Sequence, residues 1–164
     1  MTVKREYVHG YSGREAERLV DQANALTELL HHDTRYPAGA RVLEAGCGVG
    51  AQTVTLASQS PGADILSIDI SSTSLAAARE RVRAAGLTNV TFQQADLYAE
   101  PFPPASFDHA FVCFVLEHLD RPGAALAALK RMLRPGGTSR SSRATTAPPT
   151  STLGALPRSA PSIA

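Results

Sequence analysis

Arg41-Val42-Leu43-Glu44-Ala45-Gly46-Cys47-Gly48-Val49-Gly50-Ala51 decides how the rest of this chain is read. The run from Arg41 to Ala45 has the length and composition of a short buried strand. The glycines that follow break it, and from Gln52 to Ser58 a helical pattern resumes. Strand, glycine turn and helix in that order let a ligand touch the backbone at the mouth of a helix N-terminus. The Glu44 carboxylate stands at the end of the strand, beside that turn.

Working outward, the same alternation repeats. Upstream, Ser12-Gly13-Arg14-Glu15 is a capping-box pattern, and Leu19, Ala23, Leu26 and Leu30 recur behind it at helical spacing. This predicts a helix from about Gly13 to His31, ended by Pro37 and Gly39. Downstream, Ile65 to Ile68 reads as a second strand ending at Asp69, and Ser72 can cap a helix carrying Leu75, Ala78 and Val82, stopped by Gly86. Val90 to Gln93 is a third strand ending near Asp96. Pro101, Pro103 and Pro104 hold a loop before a fourth apolar run, Ala110 to Val115, and Pro122 to Leu133 is an amphipathic helix. Strands alternating with helices through short loops predict an α/β, Rossmann-like fold: a parallel sheet, right-handed crossovers and helices on both faces. The expected organisation is an N-terminal arm and capping helix over 1–40 and a nucleotide-type domain over 41–137.

The chain has 164 residues, 43% hydrophobic and 19% charged, enough for one core. From Thr138 the composition changes: residues 138–164 hold 11 Ser or Thr and 4 Pro, but no acid, Lys or aromatic residue. This stretch is expected to be a disordered tail, leaving the sheet without its C-terminal strands and the fourth strand as an open apolar edge. A plain linker is one reading of it. The other is a shifted reading frame, because codons can be chosen for Thr138 to Thr146 that hide, one base out of phase, Val-Thr-Val-Ile-Glu-Gly-Asp-His, a buried strand and its loop. On either reading the chain as it stands is expected to be unstable or inactive.

Charge and cysteine usage narrow the function. Residues 1–137 hold all 15 acids and 13 of the 16 Lys and Arg, a balance of −2, and no basic stripe points to nucleic acid. No apolar run is long enough to span a bilayer, so the expectation is a cytoplasmic protein with no membrane partner. Cys47 and Cys113 are far apart without metal-ligand spacing and read as buried fillers. His31, His32 and His109 show no ligand spacing either and read as surface or helix-end residues. No metal is expected.

Two ligands fit the glycine turn. Gly46-Cys47-Gly48-Val49-Gly50-Ala51 satisfies the dinucleotide fingerprint, and Asp69 lies about 20 residues on, where a ribose-binding acid belongs. Glu44 argues the other way, since a carboxylate beside the turn repels a pyrophosphate but suits the cationic amino group of the methionine end of S-adenosylmethionine (SAM). Asp96, just past the third strand, can accept from an adenine amino group while Asp69 holds the ribose.

Five ordered segments carry a resemblance: Val42 to Gly50, Ser67-Ile68-Asp69-Ile70-Ser71, Gln94-Ala95-Asp96-Leu97, Phe114-Val115-Leu116-Glu117-His118-Leu119 and Leu133-Arg134-Pro135-Gly136-Gly137. Together they resemble the motifs of class I SAM-dependent methyltransferases, most closely the branch with ubiquinone and menaquinone C-methyltransferases. The resemblance implies that Gly46 and Gly48, with Cys47 between them, contact the methionine moiety, and that Glu44 works nearby. It places Asp69 and the adjoining Ile70 at the ribose side, Asp96 and Leu97 at the adenine, and Phe114 at the end of the fourth strand in the pocket wall. Tyr7 and Tyr11 read either as lids that close over the sulfonium through their ring faces or as packing of the N-terminal arm, and Gln22 as a further lid candidate or a solvent-facing residue. Glu117 and His118 look like a catalytic pair but read as structural. The implied activity is methyl transfer to a small-molecule acceptor. No catalytic residue is identified, because the leaving group is already activated and the protein mainly aligns and desolvates the reactants. The alternatives are an NAD(P)-dependent oxidoreductase and a non-catalytic nucleotide-binding fragment.

Overall fold

The computed structural model describes residues 13–142. Its centre is a five-stranded sheet in the order β3-β2-β1-β4-β5, with every neighbouring pair parallel. The strands are β1 (Arg41–Ala45), β2 (Asp64–Asp69), β3 (Val90–Gln94), β4 (Phe107–Cys113) and β5 (Leu133–Ser142). Helix α1 (Gly13–His31) precedes the sheet, and α2 (Ala51–Gln59), α3 (Ser72–Ala84) and α4 (Pro122–Met132) are the crossovers. Ser12, the expected cap of α1, lies outside the described residues.

The period of two along each strand sorts the side chains onto two buried faces. Leu43 and Ala45 of β1, with Ile68, Ala110 and Val112, meet Ala125, Ala128, Leu129 and Met132 of α4. Val42, Ile65, Phe111 and Cys113 point the other way and meet Leu30 of α1 and Leu56 and Ala57 of α2. Cys47, Leu75 and Ala78, with Phe92 against them, join α3 to the same side. A strand covered on both faces is mostly apolar, which is why Val42, Leu43 and Ala45 of β1 and Ala110 to Cys113 of β4 read as hydrophobic, with Glu44 the buried exception.

Three boundaries differ from the sequence reading. Ser71 rather than Ser72 caps α3, its hydroxyl accepting from the Ser74 N–H at 3.1 Å. The fourth strand is Phe107–Cys113, displaced toward the N-terminus from Ala110–Val115. The apolar run misleads there because Phe114 leaves the strand with φ 56°, a left-handed conformation that turns the chain at the end of the sheet. Thr138 to Ser142, set apart by composition, belong to β5, so the β4 edge expected to be open is paired from His109↔Thr138 to Cys113↔Ser142. Parallel pairing draws on main-chain N–H and C=O groups, which Ser and Thr supply as well as Val or Ile. Arg134 to Gly137 bulge out between the Phe107↔Leu133 and His109↔Thr138 pairs, where a Cβ on Gly137 would lie 2.8 Å from the Asp108 carbonyl oxygen. Residues 143–164 lie outside the described residues.

One contact fixes how α2 and α3 sit together. Gly50, at φ 78°, begins α2, and a Cβ there would lie 2.9 Å from Cα of Ala78 on α3. Gly86 also has positive φ, 70°, yet its missing Cβ would meet nothing within 4 Å. Gly50→Ala is therefore expected to destabilise the fold by about 2–4 kcal/mol, against roughly 1 kcal/mol for Gly86→Ala, because only the first adds overpacking to backbone strain. Urea denaturation of the two variants checks the difference; equal losses would remove the packing contact as its cause.

Candidate functional site

The sheet order turns at β1, whose neighbours β2 and β4 are reached by crossovers on opposite faces. A ligand cleft is expected beyond the C-terminal strand ends at such a point. An open cleft lies there, enclosing about 970 Å³ including some open solvent. Glu44, Gly46, Cys47, Gly48, Asp69, Ile70, Asp96, Leu97 and Phe114 all line it, so nine of the residues singled out from the sequence converge on one cavity. Tyr11 and Tyr7 lie outside the described residues, and so does the side chain of Gln22. Leu19 of α1 lines the cleft, as do Gln52, Tyr98, Val115 and Leu119, none of which the sequence reading assigned to it. Glu117 and His118 stand in the turn after β4 and are not among the lining residues.

The turn after β1 owes its shape to the ends of its neighbours. The N–H groups of Gly46 and Cys47 both donate to the Ile68 carbonyl, at 2.8 and 3.0 Å, and the Gly50 N–H donates to the Cys47 carbonyl at 2.9 Å. Asp69 Oδ2 accepts from the Gly48 N–H at 2.9 Å, while its Oδ1 accepts from the Ser71 N–H at 2.9 Å. Gly46 has φ 74°, and a Cβ on it would overlap the Val115 side chain. Four of the loop amides are thus bound within the protein, and the loop does not offer them to a phosphate.

Glu44 is buried at 2% exposure, its Oε2 accepting from Thr53 Oγ1 at 2.7 Å and Ser67 Oγ at 2.6 Å. Burial pushes its carboxyl up to about 7; the two hydroxyl donors oppose that rise and the nearby Asp69 adds to it. Asp69 is also raised by burial, against the lowering effect of its backbone donors. Asp96 accepts from the Tyr98 N–H at 2.9 Å and so opens the short turn Leu97–Ala99. Among the described residues no Lys or Arg lines this cleft. Three carboxylates without a cationic side chain make a cavity suited to cations and hydroxyl donors and hostile to phosphates.

The remaining candidates sort by burial. Cys47 and Cys113 are buried, and burial raises both thiols, so neither is a ready nucleophile. His31, expected at the surface or a helix end, does end α1 but is only 1% exposed. His109 stacks on Tyr36 with ring centroids 4.7 Å apart and shares a 2.8 Å hydrogen bond with Thr138. Among the described residues no helix is long and apolar enough to cross a membrane.

Residues 42–137 match a methyltransferase domain family. The uncharacterised protein syc1184_c of Synechococcus is 45% identical over 98 residues, which cover 59% of this chain and 24% of that one. The ubiquinone biosynthesis O-methyltransferase of Methylococcus capsulatus is 40% identical over 103 residues, covering 62% of this chain and 42% of that one. The chain therefore spans less than half the length of either relative. A SAM dependent methyltransferase from Aquifex aeolicus superposes with a TM-score of 0.69 at 23% identity, over 85% of this chain and 80% of that one, a likeness of fold. With its glycine turn, its three cleft acids and strands β2 to β4 inside the matched residues, the chain belongs to the methyltransferase domain family.

Proposed function

We propose that this chain binds SAM in the cleft at the end of β1 and serves methyl transfer to a small-molecule acceptor in the cytoplasm. The observation that carries the reading is the acidic cleft, where Glu44, Asp69 and Asp96 stand without a single lining Lys or Arg among the described residues. A nicotinamide dinucleotide would bring a pyrophosphate to loop amides that already have acceptors and to two buried acids. SAM brings instead a sulfonium and an ammonium, both positive, and ribose hydroxyls that donate.

The residues present fit that ligand part by part. Glu44 would take the ammonium, held in place by Thr53 and Ser67. Asp69 would accept from the ribose hydroxyls, fixed by the Gly48 and Ser71 amides, with Ile70 beside it. Asp96 and Leu97 would flank the adenine, and Gly46 leaves room for the chain of the methionine end. Phe114 would close the wall near β4, its positive φ a strained backbone of the kind that clusters at binding sites. Tyr11 remains a lid candidate.

When bound, SAM supplies a methyl group on a sulfonium that is already an activated leaving group. What the chain must add is alignment and the exclusion of water. Apolar groups from two parts of the chain serve the second need, Leu19 from α1 and Val115 and Leu119 from the turn after β4, all at the cleft.

Titration calorimetry with SAM, S-adenosylhomocysteine and NAD tests the cofactor. The first two are expected to bind and NAD is not, while Asp69→Ala is expected to weaken the first two at least about tenfold through loss of charge-assisted hydrogen bonds. Binding of NAD alone would overturn the reading.

Glu44 makes the same site pH-dependent. Its folded-state value, about 7, lies above the ordinary 4.5, so its ionisation costs the fold free energy. The group's contribution to stability is full below pH 4.5 and lost as pH rises through about 7. An ammonium ligand needs the ionised form, so S-adenosylhomocysteine affinity is expected to rise roughly eightfold from pH 6 to pH 7.5, the growth in ionised fraction. Glu44→Gln is expected to weaken binding, remove that rise and stabilise the unliganded chain at pH 8. A pH profile unchanged by the substitution would assign the titration to another group.

A further inference from the structure

A buried polar chain runs from the end of α1 to the cleft and has no part in the reading so far. His31 stacks on Phe111 of β4, with ring centroids 5.3 Å apart, and both of its nitrogens are engaged. Nδ1 lies 2.8 Å from Thr34 Oγ1, and Nε2 lies 2.7 Å from Gln52 Oε1. His31, Thr34 and Gln52 are 1%, 0% and 8% exposed. The segment after α1 is tied down as well, since Ser60 Oγ donates to the Thr34 carbonyl at 3.1 Å and accepts from the Tyr36 N–H at 3.0 Å.

The chemistry gives this chain a direction. Burial lowers the pKa of the imidazole and so favours the neutral ring; the Gln52 bond opposes this and Arg140 of β5 adds to it. A neutral ring has one donor and one acceptor nitrogen. Because the Gln52 oxygen faces Nε2, that nitrogen carries the proton, and Nδ1 accepts from the Thr34 hydroxyl. The Gln52 oxygen is then committed to His31, and its amide nitrogen is the polar group left for the cleft that Gln52 lines. Gln52 lies in the first turn of α2, next to Thr53, which holds Glu44. An amino-acid end carries its carboxylate on the same carbon as its ammonium, so a ligand whose ammonium meets Glu44 brings a carboxylate to the same end of the cleft. With no Lys or Arg lining the cleft among the described residues, the donors those residues offer to that carboxylate are neutral.

We infer that Gln52 selects ligands with a free amino-acid carboxylate by donating its amide N–H to it, and that His31 and Thr34 are positioning residues that hold the amide by its oxygen. The inference rests on the SAM reading and deepens it. The opposite ring tautomer would turn the Gln52 carbonyl toward the carboxylate and repel it, so the direction of the His31–Gln52 hydrogen bond bears on what the cleft accepts.

The test is calorimetric titration of the full chain with S-adenosylhomocysteine, which has the amino-acid end, and 5′-methylthioadenosine, which lacks it. Gln52→Glu and Gln52→Met are each expected to weaken S-adenosylhomocysteine at least about tenfold, the worth of a lost hydrogen bond to a charged group, and to leave methylthioadenosine within about twofold. His31→Leu is expected to give the same split, and His31→Gln, whose amide N–H can stand where Nε2–H stood, to restore most of the loss. Equal loss of both ligands in both Gln52 variants, or no loss of either, would overturn the inference. A wild-type chain that binds neither ligand would instead fail the SAM reading beneath it.

Discussion

The carbonyl of Ile68 accepts from two consecutive amides, Gly46 and Cys47, and the site depends on that three-centre contact. It draws the turn after β1 across the end of β2, which brings Asp69, the next residue, within reach of the Gly48 amide. A side chain at Gly46 would collide with Val115 from the far side of β1, so the turn is gripped between the ends of two strands. The acids of the cleft therefore rest on sheet geometry rather than on a flexible loop. That is what allows carboxylates to be buried close together without cations: backbone amides and hydroxyls, fixed by the sheet, replace the water they lose.

Much of this was legible in the sequence, for identifiable reasons. The strand–glycine–helix pattern at Arg41–Gln59 and the acids after the strands are local signals, and the cleft gathers Glu44, Asp69 and Asp96 because parallel strands end on one side. What escaped was set by tertiary contact. His31 at a helix end looks like a surface residue until Phe111, Thr34 and Gln52 are seen around it. Gln52 itself gives no signal beyond its place in a helical pattern, because one polar residue in a first turn is ordinary. The end of β4 was missed because the apolar run continues through Phe114 while the backbone does not.

The outer strand shows the limit of composition as a guide. Serine, threonine and arginine argue against a core, and none of Thr138 to Ser142 is buried. Yet a strand at the edge of a sheet needs a core on neither side of its own axis, only a partner for its main chain. Arg140 is paired with Asp33, just beyond the end of α1, so a charged side chain joins the sheet edge to the segment that leads from the helix. A charged residue on an outer strand also discourages further strand addition.

The strand order has a consequence for how this chain comes to be folded. β1 is made first but lies in the middle, and both of its neighbours, β2 and β4, are synthesised after it. Val42 and Leu43, at 0% and 1% exposure in the finished protein, have no strand partner until Asp64 has been made, and none on the other side until Phe107. The central strand therefore waits longest with its apolar residues exposed, and its second pairing closes a loop of more than sixty residues. Loops of that span cost entropy before any contact repays it, so the β1–β4 pair carries the largest closure cost of the four strand pairs.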